Sequence, residues 1–468
     1  MIPRLTFRQR RPYQHDELLS PFELVGGGRP LTITLHRDGL ARLGAEEGES
    51  LAALEGLVDV PQVSVLDSSP GRFDHIAVTA DAEPGLFSAS VRRESGVSVS
   101  AIPALPWTEI VGELSEDCEQ AGHLEQREAL QHLLLAQAHI SQRADLLVTA
   151  SPLLIGCRSN RWIKSANPRT PKEALRITAL YLRRRGQYLV AGPDSVVAKY
   201  FVNRGLYYWV LARHLLPGFW RYHALAWRVS EEVGELASSA IDRVVRALQA
   251  RDGIGEQFYR PQNNDTTDTV AYHFDYLALL LAGALDAQAA LAEKVYGIKQ
   301  SQRWLISFRN ASFRRMLQNA GANELSDVVS SEGFLSVASL LAGLRNTIHG
   351  GRPRGIHVSG EALGKDDETF MPVSSAVRKA AWDAAQRAGS VEDMGFTADV
   401  PGYLLVEPYT FSAFLLKTCF TWMNRIAKAT ELEKVAPLSQ GESFVPRDLV
   451  WSSNVRRAIL LQNSDIAD

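Results

Sequence analysis

Leu344-Arg345-Asn346-Thr347-Ile348-His349-Gly350-Gly351 sets an arginine, an asparagine and a histidine at the end of a helical pattern. Four residues along an α-helix turn about 400° and rise ~6 Å, so Arg345 and His349 project from one face, offset by about 40°. A guanidinium that grips a phosphate then stands beside a group that titrates near neutral pH and can move a proton. Asn346 can orient the histidine or donate to a phosphate oxygen. The glycine pair reads as the helix C-cap, which places His349 among carbonyl ends that favour its imidazolium. The bland alternative is that Arg345 and His349 only cap those carbonyls.

Stepping outward from this motif, no HExxH zinc signature or GxSxG elbow occurs. Gly360-Glu361-Ala362-Leu363-Gly364-Lys365-Asp366 is one residue short of a phosphate-binding loop, and no helix is placed to make Gly26-Gly27-Gly28 a dinucleotide fingerprint. Tyr207, Tyr208, Trp209, Phe219, Trp220, Tyr222 and Trp227, interleaved with Arg213, Arg221 and Arg228, can either stack on single-stranded bases or form a seam between domains.

A chain of 468 residues, 46% hydrophobic, has more sequence than one compact core uses, and two or three domains are expected. The formal net charge of −3 excludes a globally basic nucleic-acid binder and leaves local patches such as Arg8-Arg10-Arg11 and Arg183-Arg184-Arg185, whose simplest reading is a solvated surface. Cys118, Cys157 and Cys419 match neither a disulfide framework nor a zinc spacing, so a reducing cytoplasm is the expected compartment. The N-terminus lacks the apolar stretch of a signal peptide, and the longest apolar run, Leu277 to Leu291, is broken by Asp286, so no membrane span is expected.

The elements that must carry these residues divide in two. Leu31–Leu35, Val63–Leu66 and His75–Val78 alternate as strands; Glu125–Ser141 reads as a helix, Ala144–Thr149 as a short strand, and Thr170-Pro171 as a helix start. That order predicts an α/β domain with a mostly parallel sheet. Beyond about residue 195 the patterns at 207–216, 221–248, 270–295, 334–349, 375–387 and 410–430 are helical, which predicts an all-α C-terminal bundle. The expected divisions are a strand-rich extension at 1–60, the α/β domain at 61–195, a helical connector at 196–265 and the helical domain at 266–468, with a loose tail after Leu461.

Val63–Ser69 with Asp67, Trp107–Leu114 with Glu113, Ala144–Thr149 and Thr170–Leu175 resemble, in that order, the PIN nuclease domain. The resemblance implies a sheet whose strand ends carry acids for divalent metals, with Asp67 at the first acidic position and Glu113 at the second. Ser151 stands where the family has an aspartate, and the preceding helix offers Gln131 and His132, so the likeness implies a PIN-like fold without a complete metal site.

Arg345-Asn346-Thr347-Ile348-His349, preceded by Tyr272-His273-Phe274-Asp275-Tyr276 and Gly283-Ala284-Leu285-Asp286, resembles the HEPN helical domain over roughly residues 265–435. The resemblance implies a metal-independent ribonuclease with RNA as partner, no cofactor, and a homodimer that completes the site, in defence or stress systems. Three residues separate Arg345 from His349 where the family has four to six, a rotation of about 100°. The competing expectations are a non-catalytic RNA-binding or scaffolding protein, and a metal-dependent nuclease built on Asp67 and Glu113.

Overall fold

The computed structural model describes residue 22 and residues 29–80, 86–93, 96–103, 105–117, 124–158, 160, 162–191, 199–201, 203–260, 263–300, 302–350, 356–358, 368–388, 394–400, 403–435 and 453–467. β1 (Leu31–Leu35) alternates leucine and isoleucine with threonine, and the alternation fixes its two faces. Leu31, Ile33 and Leu35 enter an apolar layer with α1 (Ala45–Leu57) and α5 (Pro171–Arg184), while Thr34 Oγ1 meets His139 Nδ1 at 2.8 Å on α3 (Gln126–Ser141) beneath the other face.

β1 pairs in parallel with β2 (Val63–Asp67) on one side and β6 (Leu146–Val148) on the other. β3 (Asp74–Ala80) and β7 (Pro168–Arg169) extend the parallel set, and β4 (Leu86–Arg93) and β5 (Gly96–Pro103) close one edge as antiparallel strands, giving the order β5-β4-β3-β2-β1-β6-β7. α2 (Leu105–Asp117), α3 and α4 (Pro152–Gly156) cover the second face. The expected α/β architecture is present, and its sheet begins well before residue 61: β1 is its inner strand, because a run with one face fully apolar must be covered on that face. α5 starts as its sequence predicts, with Thr170 Oγ1 accepting from the Glu173 amide and Glu173 answering to the Thr170 amide.

After a two-stranded ribbon, β8 (Leu189–Ala191) and β9 (Lys199–Phe201), come α6 (Arg204–Leu215), α7 (Pro217–Val229), α8 (Glu231–Phe258) and α9 (Asn264–Val295). The single helix expected over 221–248 is two. Ser230 adopts an extended backbone and its Oγ accepts from the Val233 amide at 3.2 Å, so it ends one helix and caps the next. α8 and α9 run antiparallel, with Gly253 against His273, Arg243 against Gly283, and Glu232 paired with Lys294 at 2.9 Å. Among the described residues α9 is the one single helix long and apolar enough to cross a membrane, and here its apolar side packs against other helices of this chain.

α10 (Ala311–Asn319), α11 (Asn323–Ser330), α12 (Glu332–Gly350), α13 (Ser375–Ala388) and α14 (Pro408–Ala429) complete the helical half, followed by α15 (Leu432–Val435), α16 (Ser453–Leu461) and α17 (Ser464–Ala467). It is not all-α. β10 (Ile356–Val358), β11 (Glu368–Ser374), β13 (Tyr403–Val406) and β12 (Phe396–Val400) form a four-stranded antiparallel sheet between helices. Met371, Val373, Leu404 and Val406 are buried from it, a period-two pattern short enough to hide among helical neighbours.

One apolar cluster runs from β1 and α5 through α8 and α9 to α14, so the two halves share a core. At their junction Arg183 of α5 meets Asp252 of α8 at 2.6 Å, both almost fully buried, and Tyr208 donates to the same carboxylate at 2.7 Å. Burial alone would raise the Asp252 carboxyl, and Arg183, Arg251 and Tyr208 together outweigh it, holding it below the usual range. The run Arg183-Arg184-Arg185 is therefore no solvated patch: Arg184 pairs with Glu256, and Arg185 lies over the Tyr181 ring at 5.3 Å. Nor is the segment after Leu461 loose. Gln462 and Asn463 are buried, and Asp465 pairs with the buried Arg251.

Candidate functional site

Asp286 interrupts the apolar run of α9, and that interruption demands a cationic partner. Arg345 supplies it from α12, with Nη1 at 2.9 Å from Oδ2. Both side chains remain open to water, Arg345 at 39% and Asp286 at 47%. Burial raises the Asp286 carboxyl, opposed by the charges of Arg345, Arg309 and Arg243. Of the three, Arg345 alone touches the carboxylate, and Arg309 and Arg243 act on it through their charge. Arg243 of α8 lies over Gly283, about one turn before Asp286: a Cβ there would come within 2.8 Å of its Nε, while its Nη1 donates to the Ser239 carbonyl at 2.9 Å.

Beside this cluster lies a small solvent-open pocket between α9, α12 and the turn through Ser307, Phe308 and Arg309. Its floor is apolar, including Leu285, Phe308, Phe334 and Leu341, and its polar lining is Ser307, Asp286, Arg309 and Arg345. An excess of cationic groups at the mouth of an apolar pocket can hold a phosphate or carboxylate, with guanidinium forks giving it two-point geometry.

α12 continues through Gly350, so Arg345, Asn346 and His349 share one uninterrupted helix. Asn346 is exposed next to Arg345. The His349 side chain lies outside the described residues, as do Gly351, the 359–367 loop with the phosphate-loop-like sequence, Gly26–Gly28, Arg8–Arg11 and Cys118. Arg345 does not cap the helix end: its described partner is Asp286 on α9.

Asp67 and Glu113 are held differently from what their alignment with a metal site requires. Asp67 ends β2 almost fully buried, and Arg37 binds it at 3.0 Å through Nε and 2.6 Å through Nη2, while the Ser69 amide donates to it at 2.9 Å. The hydrogen bond to Asp67 raises the Arg37 guanidinium. Any cation on Asp67 must displace that fork. Glu113 stands on the exposed side of α2. Among the described residues no group of three or more His, Cys, Asp or Glu side chains is placed to hold a metal.

Ser151, His132 and His36 form instead a buried knot past the carboxyl ends of β1 and β6. His132 Nδ1 lies 2.9 Å from Ser151 Oγ, His36 Nδ1 lies 3.0 Å from Thr149 Oγ1, and the two rings meet edge to face at 4.5 Å. Desolvation pushes His36 down to about 3, helped by His132. Both imidazoles are neutral packing partners under the turn at Gly39, where a Cβ would strike Thr149 Oγ1 at 2.4 Å.

The aromatic group on α6 and α7 is a seam. Tyr207, Tyr208, Phe219 and Tyr222 are buried, and Arg213 lies over the Trp209 and Trp220 rings at 5.8 and 5.1 Å. Sequence reasoning named Arg345, noted Asp286 only as the break in an apolar run, and missed Arg243 and Arg309; the signal was that lone acid between Leu277 and Leu291, which implied cations on the neighbouring elements.

No protein-family model, curated protein or solved structure matches this chain.

Proposed function

We propose that the chain is a metal-independent endoribonuclease of the HEPN type, acting on RNA through Arg345, Asn346 and His349. The observation that carries the reading is the position of Arg345: it stands at the solvent-open mouth of a pocket with Arg309 and Arg243 nearby, on the same continuous helix as Asn346 and His349. In the reaction the ribose 2′-oxygen attacks phosphorus and the bond to the 5′-oxygen breaks, leaving a 2′,3′-cyclic phosphate and a 5′-hydroxyl. His349 takes the 2′-hydroxyl proton or returns one to the leaving oxygen, Arg345 neutralises the developing phosphorane charge, and Asn346 orients one of them. One histidine serves one proton transfer at a time, and a second copy across a homodimer supplies the other. The PIN-like half positions or senses, and a cytoplasmic defence or stress role follows from the family resemblance alone.

The test is cleavage of mixed RNA by Arg345→Ala and His349→Ala, each expected to lose activity by about 100-fold or more. Unchanged rates in both variants would refute the assignment. A second reading, RNA binding without cleavage, is favoured by the Arg345–Asp286 pair, which already occupies the guanidinium. It takes over where both variants and wild type bind RNA and none cuts it.

A further inference from the structure

Tyr272 is 62% exposed and Tyr276 37% exposed, two large rings left in water on a helix whose opposite side is core. At about 100° per residue, Leu279, Gly283 and Asp286 fall within about 40° of Tyr272, so the rings and the carboxylate lie on one stripe of α9, ~21 Å long. Along it exposure falls from Tyr272 to half-buried Leu279 and Gly283; Arg243 lies over Gly283, and at the far end Arg309 and Arg345 line one pocket with Asp286. The stripe thus has two exposed rings at one end, Tyr272 also meeting the His273 ring edge to face at 5.4 Å, and an excess of guanidinium at the other.

We propose that this stripe is a track for single-stranded RNA, with Tyr272 and Tyr276 stacking on consecutive unpaired bases and the arginine cluster holding the backbone phosphate. Charge places the phosphate at the arginine end, because Asp268 and Asp275 stand beside the tyrosines and leave that end to the bases. Three guanidinium groups against one carboxylate complement a polyanion, and exposed aromatic faces at ~6 Å of helical rise suit bases without reading their sequence. Duplex RNA keeps its bases stacked inside and offers the tyrosines nothing. The choice of RNA rests on the ribonuclease reading; the track itself rests on the tyrosines and arginines.

The experiment uses the full chain carrying His349→Ala, in chelator, and reads anisotropy of a short fluorescein-labelled single-stranded RNA against the same sequence as a duplex. Tyr272→Ala/Tyr276→Ala is expected to weaken single-strand binding about 30-fold or more, with Tyr272→Phe/Tyr276→Phe retaining it. Arg243→Ala/Arg309→Ala is expected to lower the salt slope by roughly one. Trp227→Ala, a half-exposed ring on α7 packed against Gly234 of α8 and outside the α9 stripe, is expected to change nothing. Unchanged affinity in the tyrosine-to-alanine variant overturns the track, as does equal affinity for the duplex. If that variant turns a dimer into a monomer at unchanged RNA affinity, the face belongs to a second copy of the chain and the track is again overturned. Absence of cleavage by wild type together with tyrosine-dependent binding retires the ribonuclease reading and upholds the track.

Discussion

Arg345 and Asp286 close to 2.9 Å across the gap between α12 and α9, yet 39% of one side chain and 47% of the other stay in water. An ion pair this open contributes ~0–1 kcal/mol. On the proposed reading, a phosphate arriving beside Arg309 would displace Asp286 at little cost, and the carboxylate would act as a weak internal competitor for it.

Asp286→Asn removes that competitor. Affinity for inorganic phosphate and for RNA is expected to rise about 3- to 10-fold, with the unfolding free energy within ~1 kcal/mol of wild type. Titration calorimetry and urea denaturation check the two halves of this expectation. Weaker binding would mean that Asp286 organises Arg345 rather than competing with phosphate.

Acid stability follows from the buried histidines. His36 is pushed down to about 3 by burial, with His132 adding to it, and His214 to about 4 by burial beside Arg456 and Arg213. Unfolded, both bind protons near their ordinary value of 6.5, so between 6.5 and about 4 the unfolded chain holds more protons. Stability is then fully present above 6.5 and is lost as pH falls below it, by up to ~1.4 kcal/mol per pH unit for His36 and less for the better solvated His214. Urea midpoints measured from neutral pH down to about 4 should fall steadily. A flat profile would contradict the neutral, desolvated His36. Asp252 and Asp465, held low by their arginines, add losses only below the ordinary carboxylate value of 3.8.

Arg183→Met and Asp252→Leu each strand a buried charge and are expected to cost ~3–5 kcal/mol, whereas the double variant should cost markedly less than their sum. Denaturant unfolding of the four proteins gives the coupling. Additive losses would mean that the junction tolerates the unpaired partner by letting water in.

The C-terminal segment makes a similar demand. Asp465→Ala leaves Arg251 with the Asp252 carboxylate at 3.3 Å, the Tyr409 hydroxyl at 3.2 Å and the Asn463 side chain at 3.4 Å. Removing residues 462–467 also takes Gln462 from Tyr207 and from the Leu189 carbonyl. Both changes are expected to lower the unfolding midpoint, the deletion more than the point variant. A deletion as stable as the full chain would contradict the docked tail.

Much of the α/β half was legible because its signals are local. Thr170, Pro171 and Glu173 announce a capped helix, and Leu31–Leu35 and Val63–Asp67 alternate within single strands. What remained hidden depends on partners distant in sequence. Arg37 gives no sign that it will clasp Asp67, and Arg183 reads as surface until Asp252 arrives from α8. The helix break at Ser230 and the sheet through β11 and β13 were lost because short polar caps and short apolar alternations occur within helical patterns as well. At the candidate site Arg345 could be named from sequence, while its pairing with Asp286 and the approach of Arg243 over Gly283 needed α9 to pack against α12 and α8.

The most direct measurement is cleavage of mixed RNA by wild type and His349→Ala in excess chelator, with end-group analysis of the products. Wild type alone leaving 2′,3′-cyclic phosphate and 5′-hydroxyl ends is the expected result. Equal cleavage by both proteins, or products with 5′-phosphate ends that vanish in chelator, would contradict metal-independent catalysis by the α12 motif.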